Sequence, residues 1–95
     1  MNKKQLKYCM NGLKKELNII LFTTELVDNK IVNENFLEEL KRDIKIYLRK
    51  IEITDNYLDN DQEKAAKKVT KDWFTLWSSI SDRLDIIEEK LKKYE

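Results

Sequence analysis

The sequence predicts an all-α fold, an antiparallel up-down-up bundle of three long helices that forms one domain over residues 1–95. Three observations carry that prediction. Proline is absent and glycine occurs once, at Gly12, so turns that need a fixed or positive φ have almost no residues to build them. Lys, Glu and Leu, all strong helix formers, dominate the composition together with Ile. Apolar residues recur at alternating steps of three and four through three segments separated by two polar breaks.

The first segment carries the stripe Leu6, Met10, Leu13, Leu17, Ile20, Thr24 and Val27. A shorter flanking stripe, Ile19, Phe22 and Leu26, widens the apolar surface of its C-terminal half, as expected for a helix with two neighbours. The helix is expected to end near Asp28-Asn29-Lys30. Asn33 or Asn35 can cap the next helix, and Asn35 has Glu38 at the spacing of a capping box.

In the second segment the stripe is Leu37, Leu40, Ile44, Tyr47, Ile51, Thr54 and Leu58, flanked by Ile46, Ile53 and Tyr57. The polar run from Asp59 to Glu63 ends it, with Asn60 and Glu63 spaced as a second capping box. The third segment reads Ala66, Val69, Trp73, Leu76, Ile80, Leu84, Ile87, Leu91 and Tyr94, with one extra step of four after Ile80. That extra step either belongs to one continuous helix or marks a break near Ser79, whose hydroxyl could cap a fresh helix with Asp82. With no Gly or Pro nearby, the continuous helix is the preferred reading. Short connections between long helices imply antiparallel neighbours. A repeat near 3.5 residues favours shallow, left-handed packing.

Charged residues make up 39% of the chain, yet 19 basic and 18 acidic groups nearly cancel. The chain as a whole therefore exerts no strong pull on nucleic acid or anionic membrane. Met1-Asn2-Lys3-Lys4 is basic, but no hydrophobic signal-peptide core follows it, and the longest apolar run, Ile19 to Phe22, is far too short to span a bilayer. The single cysteine, Cys9, cannot form a disulfide within the chain and reads as a small buried hydrophobe. A cytoplasmic location is expected. The abundance of Asn, Lys and Ile fits an AT-rich genome, such as that of a low-GC bacterium, a phage or a mobile element.

Histidine is absent, which excludes Ser-His-Asp and Cys-His catalysis and every His-based zinc site. One glycine cannot build a phosphate-cradling loop. Asp59, Asp61 and Glu63 imitate the opening of a calcium loop, but Lys64 and Thr70 stand where Gly and Glu are required. Carboxylate pairs such as Glu38/Glu39, Asp82/Asp85 and Glu88/Glu89 read as solvated helix surface alternating with lysines. No enzymatic activity, cofactor or metal is expected.

Two clusters are candidates for function. Trp73 belongs to the core stripe, whereas Phe74 and Trp77 turn progressively away from it. Phe74 and Trp77, with Phe22 and Ile19, are the candidate partner-binding residues, the competing reading being that both tryptophans pack between helices. Lys41, Arg42, Lys45 and Arg49 on the second helix, or Lys64, Lys67, Lys68 and Lys71 on the third, could follow a phosphate backbone. Interspersed Asp43, Glu52 and Asp72 weigh against that.

Family signatures do not assign the chain. Leu37-Glu38-Glu39-Leu40-Lys41 departs at Lys41 from the Ser-Gln-Glu-Leu-Asp of sporulation-phosphatase hairpins. Tyr57 to Asp61 matches the Tyr-x-x-x-Asp of type VII secreted hairpins, without their Trp-x-Gly. The function expected is a non-enzymatic protein-binding module, such as a small inhibitor, immunity protein or adaptor. The alternatives are a self-associating structural protein, and a nucleic-acid binder using the basic stripe of the second helix.

Overall fold

A computed structural model of the chain describes residues 2–94. Its elements are α1 (Lys3–Glu25), α2 (Glu34–Asp59), α3 (Glu63–Val69), a 3₁₀ turn (Thr70–Asp72) and α4 (Trp73–Lys92), with no strand among the described residues. α3, the turn and α4 together form the third long segment. The result is the expected helical bundle, elongated to 49 × 20 × 19 Å with a radius of gyration of 15.3 Å. A compact chain of this length would have about 12 Å.

Antiparallel order is fixed by pairs of charges at matching levels. Lys3 reaches Asp61 at 3.4 Å, and Lys7 reaches both Asp59 and Asp55, so the start of α1 lies beside the end of α2. Lys50 pairs with Asp72, and Arg83 with Asp43 at 2.8 Å, so α4 runs back along α2. α2 is the central element: the close backbone approaches are those of α1, α3 and α4 to it.

All seven stripe residues of α2, from Leu37 to Leu58, are buried. Met10 and Leu17 of α1, Val32 of the loop before α2, Ala66 of α3, and Ile80 and Ile87 of α4 join them in the core. Two threonines sit inside it. Each directs its hydroxyl to the carbonyl one turn back, Thr24 to Ile20 and Thr54 to Lys50, both at 2.8 Å, so neither buries an unmet donor. Trp73 stacks obliquely on Tyr47 with ring centroids 5.8 Å apart. Its indole N–H is the one buried side-chain polar atom without a partner among the described residues.

The helix ends differ from expectation in instructive ways. Asn33 caps α2, accepting from the N–H groups of Asn35 (2.8 Å) and Phe36 (3.4 Å); Asn35 lies inside the helix, and Glu38 pairs with Lys41 instead of closing a box. A full capping box does form at the start of α1, between Asn2 and Gln5. α1 stops at Glu25, three residues before the polar run, and the connecting loop returns Val32 to the core, where it is fully buried. Asn60 and Glu63 make no box. Asn60 closes α2, Asp61 adopts φ 57°, and Gln62 N–H donates to Tyr57 O while Asp61 N–H donates to Leu58 O. This is the Schellman geometry, in which a left-handed residue satisfies two free carbonyls.

There is no break near Ser79: α4 runs through it without interruption. Ser79 is held as a helical residue because its carbonyl and hydroxyl both accept from Arg83, each at 3.1 Å, while Arg83 reaches across to Asp43. The extra step of four offsets the drift of about 20° per heptad that a strict 3,4 repeat accumulates on a straight helix. The irregularity falls earlier. At Thr70–Asp72 the chain tightens into the 3₁₀ turn, with Thr70 hydroxyl donating to Lys67 O, Trp73 N–H donating to Thr70 O, and Asp72 drawn to Lys50.

Two outcomes follow. Asp61 occupies a conformation that glycine adopts without steric cost, so Asp61→Gly should raise stability by about 0.5–1 kcal/mol in chemical denaturation; a loss of stability would show that the Asp61 side chain matters more than its backbone. The pairs also set the acid response. The hydrogen bonds from Lys7, Lys50 and Lys41 hold Asp59, Asp72 and Glu38 below the ordinary carboxylate range. The unfolded chain therefore binds more protons than the native one as pH falls through that range, and stability is lost there. Melting temperature should hold to about pH 5 and fall below about pH 4; a rise on acidification would contradict the pairing.

Candidate interaction surface

α1 has apolar residues on two opposite sides. One side, Met10, Leu17 and Thr24, is buried against the bundle. Two residues from each of these positions, about 200° round the helix, lie Tyr8, Ile19, Phe22 and Leu26. They are exposed to 81%, 66%, 63% and 70%. With Gly12 and Lys15 they follow steps of 4, 3, 4, 3 and 4, a second heptad register facing directly away from the core. Neighbours at three and four residues touch along a helix, so Ile19, Phe22 and Leu26 make one continuous patch.

Gly12 lies on this face. A Cβ placed there would meet nothing within 4 Å among the described residues, so no close helix approach inside the bundle requires the glycine. A glycine in a helix interior costs about 1 kcal/mol relative to alanine. Cys9, expected to be buried, is exposed: it follows Tyr8 by one residue and so lies well off the buried stripe.

On α4 the aromatic cluster divides. Trp73 and Trp77 are half-buried and pack on the core. Phe74 is 80% exposed. It lies about 180° round α4 from Arg83, whose ion pair marks the flank facing α2, so Phe74 is on the flank turned away from α2. Ile19 and Phe22 share the outer face of α1, Phe74 stands apart on α4, and Trp77 contributes to core packing. Leu26 extends the flanking stripe already visible in the sequence. Tyr8 was not singled out there, although its register with Ile19 is the signal that finds it.

The basic stripe of α2 is partly neutralised. Lys41 is tied to Glu38 at 2.7 Å, while Arg42, Lys45 and Arg49 form no ion pair among the described residues and line a shallow depression with Ile46, Glu38 and Glu52. Lys64, Lys67, Lys68 and Lys71 are not paired among the described residues either. Among the described residues no group of three or more Cys, Asp or Glu could hold a metal ion, and no helix is long and apolar enough to cross a membrane.

No known family, curated protein or solved structure matches the chain.

The division within the aromatic cluster is measurable by thermal or chemical denaturation. Trp73→Ala should cost about 3–5 kcal/mol and Trp77→Ala a substantial part of that. Phe74→Ala should stay within about 0.5 kcal/mol of the wild type. A destabilisation by Phe74→Ala as large as that of Trp73→Ala would put Phe74 in the core.

Proposed function

We propose that this chain is a non-enzymatic protein-binding module whose principal contact surface is the outer face of α1. One observation carries the reading: Ile19, Phe22 and Leu26 form a contiguous apolar patch diametrically opposite the core stripe of the same helix. Scattered exposed apolar residues are ordinary on any protein. A contiguous patch flanked by charged side chains marks a contact site. Large apolar residues packed at the centre of such a site supply most of its binding energy.

Phe74 is a second contact point of the same kind. The role proposed is that of a small inhibitor, immunity protein or adaptor, a chain that acts by presenting this face to a protein surface. The charge balance and the Glu38–Lys41 pair favour this over nucleic-acid binding through α2, since one of its four cations is already engaged.

The test is affinity capture from a host lysate with the wild-type chain and with Phe22→Ala, Ile19→Ala and Phe74→Ala. The α1 variants should leave melting temperature almost unchanged and weaken retention of the captured protein by a factor of about 30, equivalent to about 2 kcal/mol. Undiminished capture by Phe22→Ala and Ile19→Ala would overturn the α1 assignment.

A further inference from the structure

From the layout of this same face, and resting on the binding role proposed for it, we infer that its occupant is a second copy of this chain, docked antiparallel so that Phe22 of each copy fills the space above Gly12 of the other. The face carries a projection and a recess on one stripe. Phe22 stands out from it, and ten residues away, about 15 Å along the axis, Gly12 leaves it bare. Nothing inside the bundle uses that bareness, and glycine weakens a helix interior.

A two-fold axis at the level of residue 17 brings the two features together twice. It sets Tyr8 against Leu26 of the second copy, Gly12 against Phe22, and Lys15 against Ile19. Any stripe with steps of 4, 3, 4, 3 and 4 is symmetric in spacing. The match of the smallest residue with a large ring is specific to this sequence. Lys15 covers Ile19 with its aliphatic stem and keeps its ammonium at the rim.

Charge selects the direction. The two-fold sets residues 3–15, with five lysines and no acid, against residues 19–31, which carry Glu25, Asp28 and Lys30 and are acidic by one charge. Lys3 is engaged with Asp61 in the turn after α2, and Lys7 with Asp55 and Asp59 of α2. Lys4 and Lys15 on the basic half, and Glu25 and Asp28 on the facing half, form no ion pair among the described residues, whereas Lys14 lies in the groove between α1 and α2 beside Glu52 and Asp55. Antiparallel docking lays each basic half beside an acidic half. Parallel docking would set like beside like, which costs affinity and suppresses that arrangement.

The face is large enough for a weak, reversible contact. It runs from Tyr8 to Leu26, about 27 Å. Aromatic side chains bury about 150–250 Å² each when fully enclosed. Tyr8, Ile19, Phe22 and Leu26 are already partly covered in the monomer, so with the Lys15 stem the stripe offers several hundred Å² per copy, the size of a weak, reversible contact below the roughly 800 Å² per partner of a standard interface.

Sedimentation equilibrium on the whole chain, from low micromolar to several hundred micromolar, reads the association directly. The wild type should show a reversible monomer–dimer equilibrium. Gly12→Phe, which fills the recess, and Phe22→Ala, which removes the projection, should each weaken it at least tenfold. Melting curves at low concentration establish that each variant folds. The double variant Gly12→Phe/Phe22→Ala exchanges projection and recess, and should recover association to within about threefold of the wild type. Wild type that stays monomeric throughout overturns the inference, as does a dimer insensitive to both single substitutions or a double variant no better than the singles. A monomeric wild type whose capture of a different protein is lost on Phe22→Ala would overturn the second-copy inference alone and leave the binding role intact.

Discussion

The structure depends on burying one stripe of α2. Seven positions from Leu37 to Leu58 are all enclosed, and every other helix packs closely against this one. Covering that stripe needs two helices, because a single neighbour shields only part of the wide apolar arc. α1 supplies one side through Met10 and Leu17, and the third segment supplies the other through Ala66, Ile80 and Ile87. Apolar burial of this kind sets the gross stability, and it is indifferent to register. Register comes from charge. Lys7 with Asp55 and Asp59 fixes the level of α1, and Lys50–Asp72 with Arg83–Asp43 fixes the level of α4. Exposed pairs of this kind contribute little net stability, so selection of alignment is their larger effect.

Because α2 takes the central place, the outer sides of α1 and α4 are left to serve other ends. The C-terminal half of α1 is apolar on both sides, and the bundle uses only one. A second apolar register on an edge helix adds nothing to the fold and raises the risk of indiscriminate association. Its charge segregation and its Gly12 recess give that surface direction and shape, which a merely sticky surface lacks.

Much of this was legible in the sequence. Each stripe position of α2 was read from spacing alone, and Ile19 and Phe22 stood out as a face beyond the core register. What was not legible depends on partners distant in sequence. Val32 is buried although it lies in a loop, where periodicity has no meaning. Asn60 and Glu63 have the spacing of a capping box, yet the chain prefers a Schellman turn with Asp61 left-handed, because that geometry satisfies carbonyls that a capping box would leave free. The 3₁₀ turn at Thr70–Asp72 coincides with Lys50 and Tyr47 holding Asp72 and Trp73 from across the bundle. Ser79 carried a cap signal that Arg83 cancels by occupying its hydroxyl. Trp77 was ambiguous because a residue one position past Leu76 lies at the margin of the apolar arc, where helix spacing decides whether a ring is covered.

Native-state hydrogen exchange tests the central claim most directly. If the enclosed stripe of α2 organises the molecule, the amides from Leu40 to Thr54 should be the slowest to exchange and should open only with global unfolding, at the free energy given by denaturant titration. The ends of α1 and the α3–α4 junction should exchange through smaller openings. Slowest exchange in α1 or α4, or opening of α2 while the other helices stay protected, would contradict the account.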